Sequence, residues 1–352
     1  MMSCKQLFSM VLAALVLSLT AINSADALKA EILTDMIETL EIGDPIYHQN
    51  LTVIPIYSTS TKDHSQHIAL DEALKHGWLQ ISEVDGGSVP QVRVTNRSSK
   101  HIFLMGGEIL TGCRQDRIIG RDVLVKPNSK NIIVPVYCVE EHRWNYQSDN
   151  FYSKSNLGTY GLRAESQKAT GKTQGHIWKR VSGINERLGV RTGTNAYQSA
   201  YEDREISRRI GIYEDKFQHI PNLHHDAIGA VVGAGREIIS VDIFANRNLF
   251  RKLWPKILKS SALSAVCDSR VGMLTQDDAI EFLRMLHDKH YRQKPAVDVG
   301  FELSCVDSDV NVNALLYRNA VIHVAGFPES RYPSGIKIEL DSERRVPVLR
   351  RQ

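Results

Sequence analysis

The sequence predicts a single α+β domain at residues 28–330. Strand-like segments fill residues 50–144 and the end of the domain, whereas helix-like segments fill much of the region between them. Because strands and helices do not alternate strictly, this order favours antiparallel sheets packed with helices over a doubly wound parallel sheet. We expect an antiparallel β-rich N-terminal half, a helical middle, and C-terminal β-hairpins and helices in the same globular body.

Residues 1–27 predict a signal peptide. Lys5 precedes an apolar run from Leu7 to Leu19, which is shorter than the roughly 20 residues that a membrane span needs. Ala25 and Ala27 give the small-x-small pattern that signal peptidase accepts, so we expect cleavage after Ala27 rather than an uncleaved anchor. We therefore predict an exported protein, periplasmic or secreted, that keeps no stable membrane span after cleavage.

The charge distribution argues against a nucleic-acid partner. The formal net charge is +3, and the predicted basic tail at residues 331–352 accounts for it with six Lys or Arg against three Asp or Glu. The rest of the chain is balanced, whereas nucleic-acid-binding domains usually carry a basic excess that neutralises phosphates. The sequence identifies no protein partner and no oligomeric state.

The segment between residues 50 and 144 reads mainly as strands. "LTVIPIYS" and "WLQISEV" flank one helix, "HIALDEALKHG", which Gly77 ends. "VPQVRVTNRSS" alternates, with Val92 and Val94 on one face, and we expect "HIFLM" to return as its hairpin partner after a turn at residues 96–100. "RDVLVKPNSKNIIVPVYCVEE" predicts a second hairpin with "KPNSKN" as its loop.

The composition changes at residues 145–175, which are poor in aliphatic side chains and rich in Ser, Gly, Asn and Lys. A connection of this length is typical of a mobile segment or a functional flap, and we predict mobility. A helix follows, with an apolar face from Ile177 to Leu188 and an end at Gly189. "TNAYQSAYEDREISRRIGIYED" predicts a second helix, capped by Thr194.

The C-terminal part predicts hairpins around two helices. "AIGAVVGAGREIISVDIF" reads as two strands that turn at "GAGR", since glycine supplies the positive φ that such turns need. "RNLFRKLWPKILKSSALSAV" reads as a helix that Pro255 kinks or divides, and Thr275 with Asp278 forms a capping box for the next helix. "VDVGFELSCV", "NALLYR" and "AVIHVAGF" predict strands, the last two turning at Arg318 and Asn319.

Charged residues interrupt the apolar strands between residues 106 and 144. Val134, Val136 and Glu140 share one strand face by period-two alternation, and Glu108 likewise ends an inward row in "IFLMGGE". Carboxylates in such positions need partners, and arginine is the natural bidentate one. The candidate catalytic residues are Glu108 and Glu140, and the candidate ligand-binding residues are Arg114, Gln115, Asp116, Arg117, Cys138, Arg143 and Trp144.

Three hypotheses account for this cluster. It is a buried ion-pair network that locks the hairpins together, as in a non-enzymatic envelope module with a structural or interaction role. Alternatively, the arginines bind an anionic or nucleotide-derived small molecule, with Trp144 as a stacking wall and a glutamate as acid or base for hydrolysis. A third hypothesis makes Cys138 a nucleophile, which its apolar neighbours disfavour because they raise a thiol pKa. The sequence does not decide whether the protein is an enzyme.

The remaining candidate residues give weaker signals. The group His219, His224, His225 and Asp226 contains metal-ligand residue types, but adjacent histidines point apart in an extended chain, so we predict loop histidines and no metal site. We predict that His323 is a hydrogen-bonded structural residue. We find no Rossmann or P-loop fingerprint, and the sequence identifies no cofactor. Four cysteines remain after export, and their possible pairings stay open: Cys113, Cys138, Cys267 and Cys305.

The charged stretch also carries a family resemblance. "GGEILTGCRQDRIIGRDVLVKPNSKNIIVPVYCVEEHRW", with the later "GAVVGAGREIISVDIF" and "ALLYRNAVIHVAGF", resembles the ARG and rhodanese-phosphatase-superfamily-associated protein domain, a bacterial domain of unknown function. Cys113 and His142 stand where the family pattern has glycine. The family's name implies association with ADP-ribose, sulfur-transfer and phosphatase proteins. The matching residues are Gly107, Glu108, Gln115, Arg117, Cys138, Glu140, Arg143 and Trp144.

Overall fold

The computed structural model describes residues 29–59, 66–268, 270–329 and 350–351. The predicted signal peptide with its cleavage site after Ala27 lies outside the described residues, as does the predicted tail apart from residues 350–351. Within the described chain, helices pack on largely antiparallel sheets in one globular body. This arrangement confirms the predicted α+β class.

The bounds of the elements are as follows. The strands are β1 (Glu41–Ile42), β2 (Ile46–His48), β3 (Leu51–Tyr57), β4 (Ile68–Ala69), β5 (Leu79–Glu83), β6 (Gln91–Asn96), β7 (Ile102–Leu104), β8 (Ile109–Gly112), β9 (Arg117–Ile119), β10 (Val123–Val125), β11 (Ser129–Cys138), β12 (Phe151–Tyr152), β13 (Ala227–Ala234), β14 (Glu237–Phe244), β15 (Arg292–Pro295), β16 (Phe301–Val306), β17 (Val310–Tyr317), β18 (Ala320–Pro328) and β19 (Arg350–Arg351). The helices are α1 (described from residue 29 to residue 38), α2 (Leu70–Lys75), α3 (Tyr160–Lys168), α4 (Thr173–Leu188), α5 (Ser199–Glu202), α6 (Arg204–Phe217), α7 (Ile220–Leu223), α8 (Arg247–Val266) and α9 (Gln276–His287).

A ten-stranded sheet forms the centre of the fold. Its order is β15-β16-β17-β18-β14-β13-β3-β1-β19, with β2 paired to β3. The early strand β3 lies antiparallel to β13, with Ile54 opposite Val231, so the N-terminal and C-terminal halves share one sheet. The β1–β19 pair is parallel, and the other pairs of this sheet are antiparallel.

Apolar layers cover both faces of this sheet. Successive residues of a strand point to opposite faces, so Val231 and Val232 of β13 belong to different core clusters. One cluster packs the sheet against α6 and α8 and includes Trp254. The other packs it against α1 and α9 and includes Leu33 and Leu286.

Two smaller sheets enclose a third apolar cluster. Their orders are β12-β8-β9-β11-β6-β5 and β10-β7-β4. The predicted inward row of β11 is confirmed, since Val134, Val136 and Cys138 are buried, and Val92 of β6 is buried with them. This row leads directly into Glu140, and the sheets therefore position the charged stretch.

The strands of these smaller sheets pair differently from the prediction. The strands "VPQVRVTNRSS" and "HIFLM" exist as β6 and β7, but β6 pairs with β5 and β11, whereas β7 pairs with β10 and β4. Likewise β11 pairs with β6 and β9 rather than with β10. Both predicted hairpins are therefore wrong, because long-range partners replace the sequence neighbours.

Two helical predictions also need correction. The segment at residues 145–175 contains β12, the whole of α3 and the start of α4, so it is not a long irregular connection. The single helix predicted to begin at Thr194 is instead two helices, α5 and α6. Helix α6 is capped by Asp203, whose side chain accepts hydrogen bonds from the backbone N–H groups of Glu205 and Ile206.

Several C-terminal predictions are confirmed. The β13–β14 hairpin turns at Gly235, which has φ +62°, and β17 turns into β18 at Arg318. Thr275 forms the predicted capping box of α9 with Asp278. Pro255 does not open a second helix, since it lies inside the continuous helix α8. Among the described residues, no helix combines the length and the apolar character that a membrane span requires.

Candidate functional site

Arg143 lies at the centre of the predicted cluster, after the end of β11. Its Nε donates to Glu140 Oε2 at 2.7 Å, and its Nη2 donates to Asp116 Oδ1 at 3.0 Å. Its Nη1 donates to the backbone oxygens of Cys113 and Asn145, at 2.7 and 3.1 Å. Only 8% of Arg143 is exposed. The protein itself therefore engages these donors, and Arg143 joins the loop after β8 to the loop after β11.

The two carboxylates that share Arg143 are not equivalent. Burial raises the pKa of Asp116 to about 6, and the neighbouring Glu140 adds to the shift, although a hydrogen bond from Gly112 N and the charge of Arg143 oppose it. Burial alone would lower the pKa of Arg143, but its pairs with Glu140 and Asp116 raise it. Asp116 therefore titrates near pH 6, while Arg143 stays charged.

Arg117 is completely buried beside this group. Its Nη1 donates to Gln115 Oε1 at 3.2 Å, and Gln115 Nε2 donates to the Glu140 carbonyl at 2.8 Å. Arg117 Nη2 lies 3.7 Å from Glu83 Oε1, an ion-pair distance too long for a hydrogen bond. Within the described chain, Nε and Nη2 of Arg117 have no hydrogen-bond acceptor. Arg117 therefore depends on Gln115 and on the charge of Glu83.

The cysteines of this region are buried thiols. Cys138 Sγ donates to the Glu140 carbonyl at 2.9 Å. Burial raises the pKa of Cys138, and burial with the nearby Glu83 raises that of Cys113 to about 12. Both thiols stay protonated, so their environment does not favour a nucleophile. Cys113, Cys138, Cys267 and Cys305 are all free thiols in this structure.

Arg114 and Trp144 form the solvent-facing edge of the cluster. The Arg114 guanidinium lies 4.3 Å from the ring centroid of Tyr146 and 5.4 Å from that of Trp144. Its Nε donates to the Gly86 carbonyl at 2.8 Å. Trp144 and Tyr146 are 46% and 50% exposed. The predicted stacking residue thus contacts a surface arginine, and the buried pairs lie behind it.

Glu108 has different partners. It is completely buried, its Oε2 accepts from Met105 N at 2.8 Å, and its Oε1 accepts from Lys256 Nζ of α8. Lys256 also pairs with Asp71 at 2.8 Å. Burial raises the pKa of Glu108, and Asp71 adds to it while Lys256 opposes it. The two candidate catalytic glutamates therefore belong to separate ion-pair groups.

His323 lies in a third buried group, as a hydrogen-bonded residue. Its Nδ1 is 2.6 Å from Asp122 Oδ2, and its Nε2 is 3.2 Å from Asp242 Oδ1. Arg163 Nη1 donates to Asp242 Oδ2 at 3.0 Å. Burial alone would lower the pKa of His323, but the two carboxylates raise it to about 9. This group joins α3, β14, β18 and the loop before β10.

An open cleft that the sequence analysis did not predict lies between α3, α4 and the C-terminal end of α8. Its volume is about 110 Å³. Arg180 and Arg187 of α4 line it together with Arg270, and Ser264 and Cys267 line it from α8 and its end. Three arginines therefore line one accessible space, which suits an anion.

The first turn of α3 also borders this cleft. Its lining includes Thr159, Gly161 and Leu162. Helical N–H groups of a first turn have no intrahelical acceptor, and the Thr159 side chain makes no capping hydrogen bond here. Arg180 lies against this turn, since a Cβ on Gly161 would be 3.0 Å from its Nη1. The positive end of the helix dipole thus adds to the arginine charges.

The histidine group lies after α7. His219 precedes α7 and does not join the others, whereas His224, His225 and Asp226 bring one ligand atom each to within 4.8 Å of one another. The sequence analysis expected the adjacent histidines to point apart. The structure corrects that expectation, because the two rings are stacked with their centroids 4.5 Å apart.

The fold and the buried Arg143 group define a mixed α+β protein whose arginines and carboxylates tie neighbouring sheet ends together. The family model of the ARG and Rhodanese-Phosphatase-superfamily-associated Protein domain matches residues 39–327, and the chain belongs to this family. The resemblance found in the sequence is thereby confirmed. Neither the curated proteins nor the solved structures include a match to this chain.

Proposed function

We propose that this protein binds a small anionic molecule in the cleft between α3, α4 and the end of α8. The observation that carries the proposal is the convergence of Arg180, Arg187 and Arg270 on one open space. Asp268 and Glu237 both pair with Arg270, so Arg180 and Arg187 are the arginines of the lining that offer donors to a ligand. Arg180 and Arg187 are exposed, so an arriving anion reaches them without a rearrangement of the core.

The size of the cleft narrows the ligand class. A volume of about 110 Å³ accommodates several water molecules, each of which occupies about 30 Å³ in the liquid. This space suits a phosphate or carboxylate group, with the rest of a larger molecule outside. Arginine binds such oxyanions bidentately, and a helix N-terminus supplies further N–H donors. A nucleotide-derived ligand would therefore enter with its phosphate first.

The cleft is a better location for the ligand than the Arg143 group. The donors of Arg143 are engaged by Glu140, Asp116 and backbone oxygens, and an entering anion would have to displace these partners. Breaking a buried pair costs about 3–5 kcal/mol. Arg114 and Trp144 remain available at the surface, as a secondary contact for a ligand with a planar group.

A binding measurement with a matched charge control tests the proposal. Arg187→Ala removes a cleft arginine, whereas Arg251→Ala removes an exposed arginine near the start of α8, about 20 Å along the helix from Ser264. Inorganic phosphate, AMP, ADP-ribose and a hexose phosphate are titrated by calorimetry. We expect Arg187→Ala to weaken binding about tenfold or more, since a hydrogen bond to a charged group contributes about 1.5–3 kcal/mol. Equal affinities of Arg187→Ala and Arg251→Ala, or no binding by the wild type, would overturn the proposal.

A second candidate function is a non-enzymatic envelope module in which the Arg143 group is scaffolding. The saturation of Arg143 by protein acceptors favours this role for the group itself. Hydrolytic activity remains a prediction without a supporting arrangement, because Glu108 and Glu140 are each held in ion pairs.

Export likewise remains a proposal that rests on residues 1–27, and N-terminal sequencing of the protein from its host's envelope fraction checks it.

A further inference from the structure

His224, His225 and Asp226 form a compact group of possible metal ligands at the start of β13. The distance from His225 Nε2 to Asp226 Oδ2 is 3.0 Å, and that from His224 Nδ1 to the same oxygen is 3.7 Å. Two ligand atoms that are each about 2.1 Å from a tetrahedral ion lie about 3.4 Å apart. The two measured distances bracket this value.

The backbone fixes this arrangement before any ion arrives. Ser58 N donates to the Asp226 carbonyl at 3.0 Å, and Ala227 N donates to the His224 carbonyl at 3.3 Å. The His224 ring packs against Tyr57 with centroids 5.0 Å apart. The turn is therefore held between the end of β3 and the start of β13, which keeps the three ligand atoms within 4.8 Å of one another.

The Nδ1 atom of His224 is in a suitable form for coordination. The Asp226 N–H donates to His224 Nδ1 at 3.3 Å, so this nitrogen presents a lone pair rather than a proton. A metal ion takes that lone pair in place of a long hydrogen bond. His225 is exposed and Asp226 is half-buried, so solvent and an ion reach the group from one side.

We propose that His224, His225 and Asp226 bind a divalent transition-metal ion, with Zn²⁺ as the most suitable metal. Two imidazoles and one carboxylate form a ligand set that zinc prefers, whereas Mg²⁺ and Ca²⁺ require oxygen ligands. Three protein ligands leave a fourth tetrahedral position for water or another molecule. This site shares no residue with the arginine-lined cleft, and it stands independently of the proposed anion binding.

The test uses the mature chain without a histidine tag, after treatment with a chelator. Zn²⁺ alone is titrated by calorimetry into the wild type, His225→Ala, Asp226→Asn and the control His219→Ala, which lies outside the group. We expect His225→Ala and Asp226→Asn to bind Zn²⁺ more than about tenfold less tightly than the wild type, since even an outer-shell partner of a metal ligand contributes roughly 10–100-fold to affinity. His219→Ala should bind as the wild type does.

A spectroscopic measurement separates this site from binding elsewhere. Co²⁺ replaces Zn²⁺ in sites of this kind, and its visible absorption reports the coordination. The wild type and His219→Ala should give a tetrahedral Co²⁺ spectrum that His225→Ala and Asp226→Asn lack. Far-ultraviolet circular dichroism checks that all variants are folded. A wild type that binds neither ion, or a spectrum that survives in both ligand variants, overturns the assignment.

Discussion

At the scale of the residue, Arg143 shows how one guanidinium holds two loops of the smaller sheets. It binds Asp116 and the Cys113 carbonyl on one side, and Glu140 and the Asn145 carbonyl on the other. Lysine could not replace it, because a single ammonium group lacks the fork of donors that reaches these acceptors together. The residue is therefore needed for the packing of the whole charged stretch.

We predict that Arg143→Ala is strongly destabilising. The substitution leaves Glu140 and Asp116 buried without their cation, and breaking a buried pair costs about 3–5 kcal/mol. The free energy of unfolding from urea titration measures the loss. Arg208→Ala serves as the control, because its pair with Glu205 is exposed, and it should leave the unfolding midpoint nearly unchanged. Similar midpoints for the two variants would contradict the structural role of Arg143.

At the scale of the element, α3 combines two features that hydrophobic periodicity does not reveal. Its buried side chains include Arg163, Glu165, Ser166 and Gln167, so its inward face is largely polar. Arg163 pairs with Asp242, and Glu165 contacts His176, Lys168 and Arg180. Because such a helix has no apolar stripe, its sequence resembles a loop, which explains the prediction of mobility for this segment.

The first turn of α3 allows a prediction that separates stability from binding. In Gly161→Ala the new methyl group would lie 3.0 Å from Arg180 Nη1, so this flexible and partly exposed side chain must move away. Alanine also favours the helix by about 0.5–1 kcal/mol over glycine. We expect a slightly higher melting temperature together with weaker phosphate binding.

Calorimetric titration and thermal unfolding of Gly161→Ala measure the two quantities. Gly175→Ala is the matched control, because it lies on an exposed part of α4 where an added Cβ would have no other atom within 4 Å. It should change stability without weakening phosphate binding. Undiminished binding by Gly161→Ala would show that Arg180 does not act at the first turn of α3.

Elements with local signals were predictable from the sequence, whereas their long-range partners were not. The turn at Gly235 and the capping box at Thr275 need only neighbouring residues, and both are present. Strand β7 pairs with β10 and strand β6 pairs with β11, and a period-two pattern contains no information about which distant strand lies alongside. Arg180 and Arg187 read as solvated helix residues, since the cleft exists only once α3 and α8 are in place.

The same distinction applies to the candidate site. The alternation of β11 correctly placed Glu140 on the inward row, and the abundance of arginine beside it predicted ion pairs. The two glutamates, Glu108 and Glu140, do not meet in one site as the sequence analysis expected. The reason is that α8, from a remote part of the sequence, supplies Lys256 as the partner of Glu108. Burial of a carboxylate predicts that it has a cation, but not which one.

At the scale of the whole molecule, the group formed by Asp122, His323, Asp242 and Arg163 joins the large sheet to α3 and to the loop before β10. Burial by itself would raise the pKa of Asp242, but Arg163 and His323 hold it well below its usual range. His323 also stacks on Phe244, with ring centroids 4.4 Å apart. Charged His323 is therefore part of the folded architecture.

This arrangement predicts a pH dependence of stability. The pKa of His323 is raised from 6.5 to about 9, so the folded state binds the proton more tightly than the unfolded state. The stabilisation is complete below about pH 6.5 and is lost as the pH rises through 9. The protonation of His323 contributes roughly 3 kcal/mol at most to the free energy of unfolding, because a tenfold change in proton affinity corresponds to about 1.4 kcal/mol.

Urea unfolding of the wild type and of His323→Gln between pH 6 and pH 10 checks this prediction. Glutamine retains hydrogen-bonding capacity but cannot be charged. The free energy of unfolding of the wild type should exceed that of the variant most at pH 6, and this difference should narrow towards pH 10. A difference that stays constant over this range would mean that His323 is neutral in the folded protein.

The central sheet also sets the order of events during synthesis. Ile54 of β3 lies opposite Val231 of β13, and β13 continues through β14 to the last strands of the domain. A nascent chain that has emerged only as far as α6 thus has one edge of its largest sheet without a neighbour. Completion of that sheet therefore awaits synthesis of the C-terminal half of the domain, because β13 supplies the neighbour of β3.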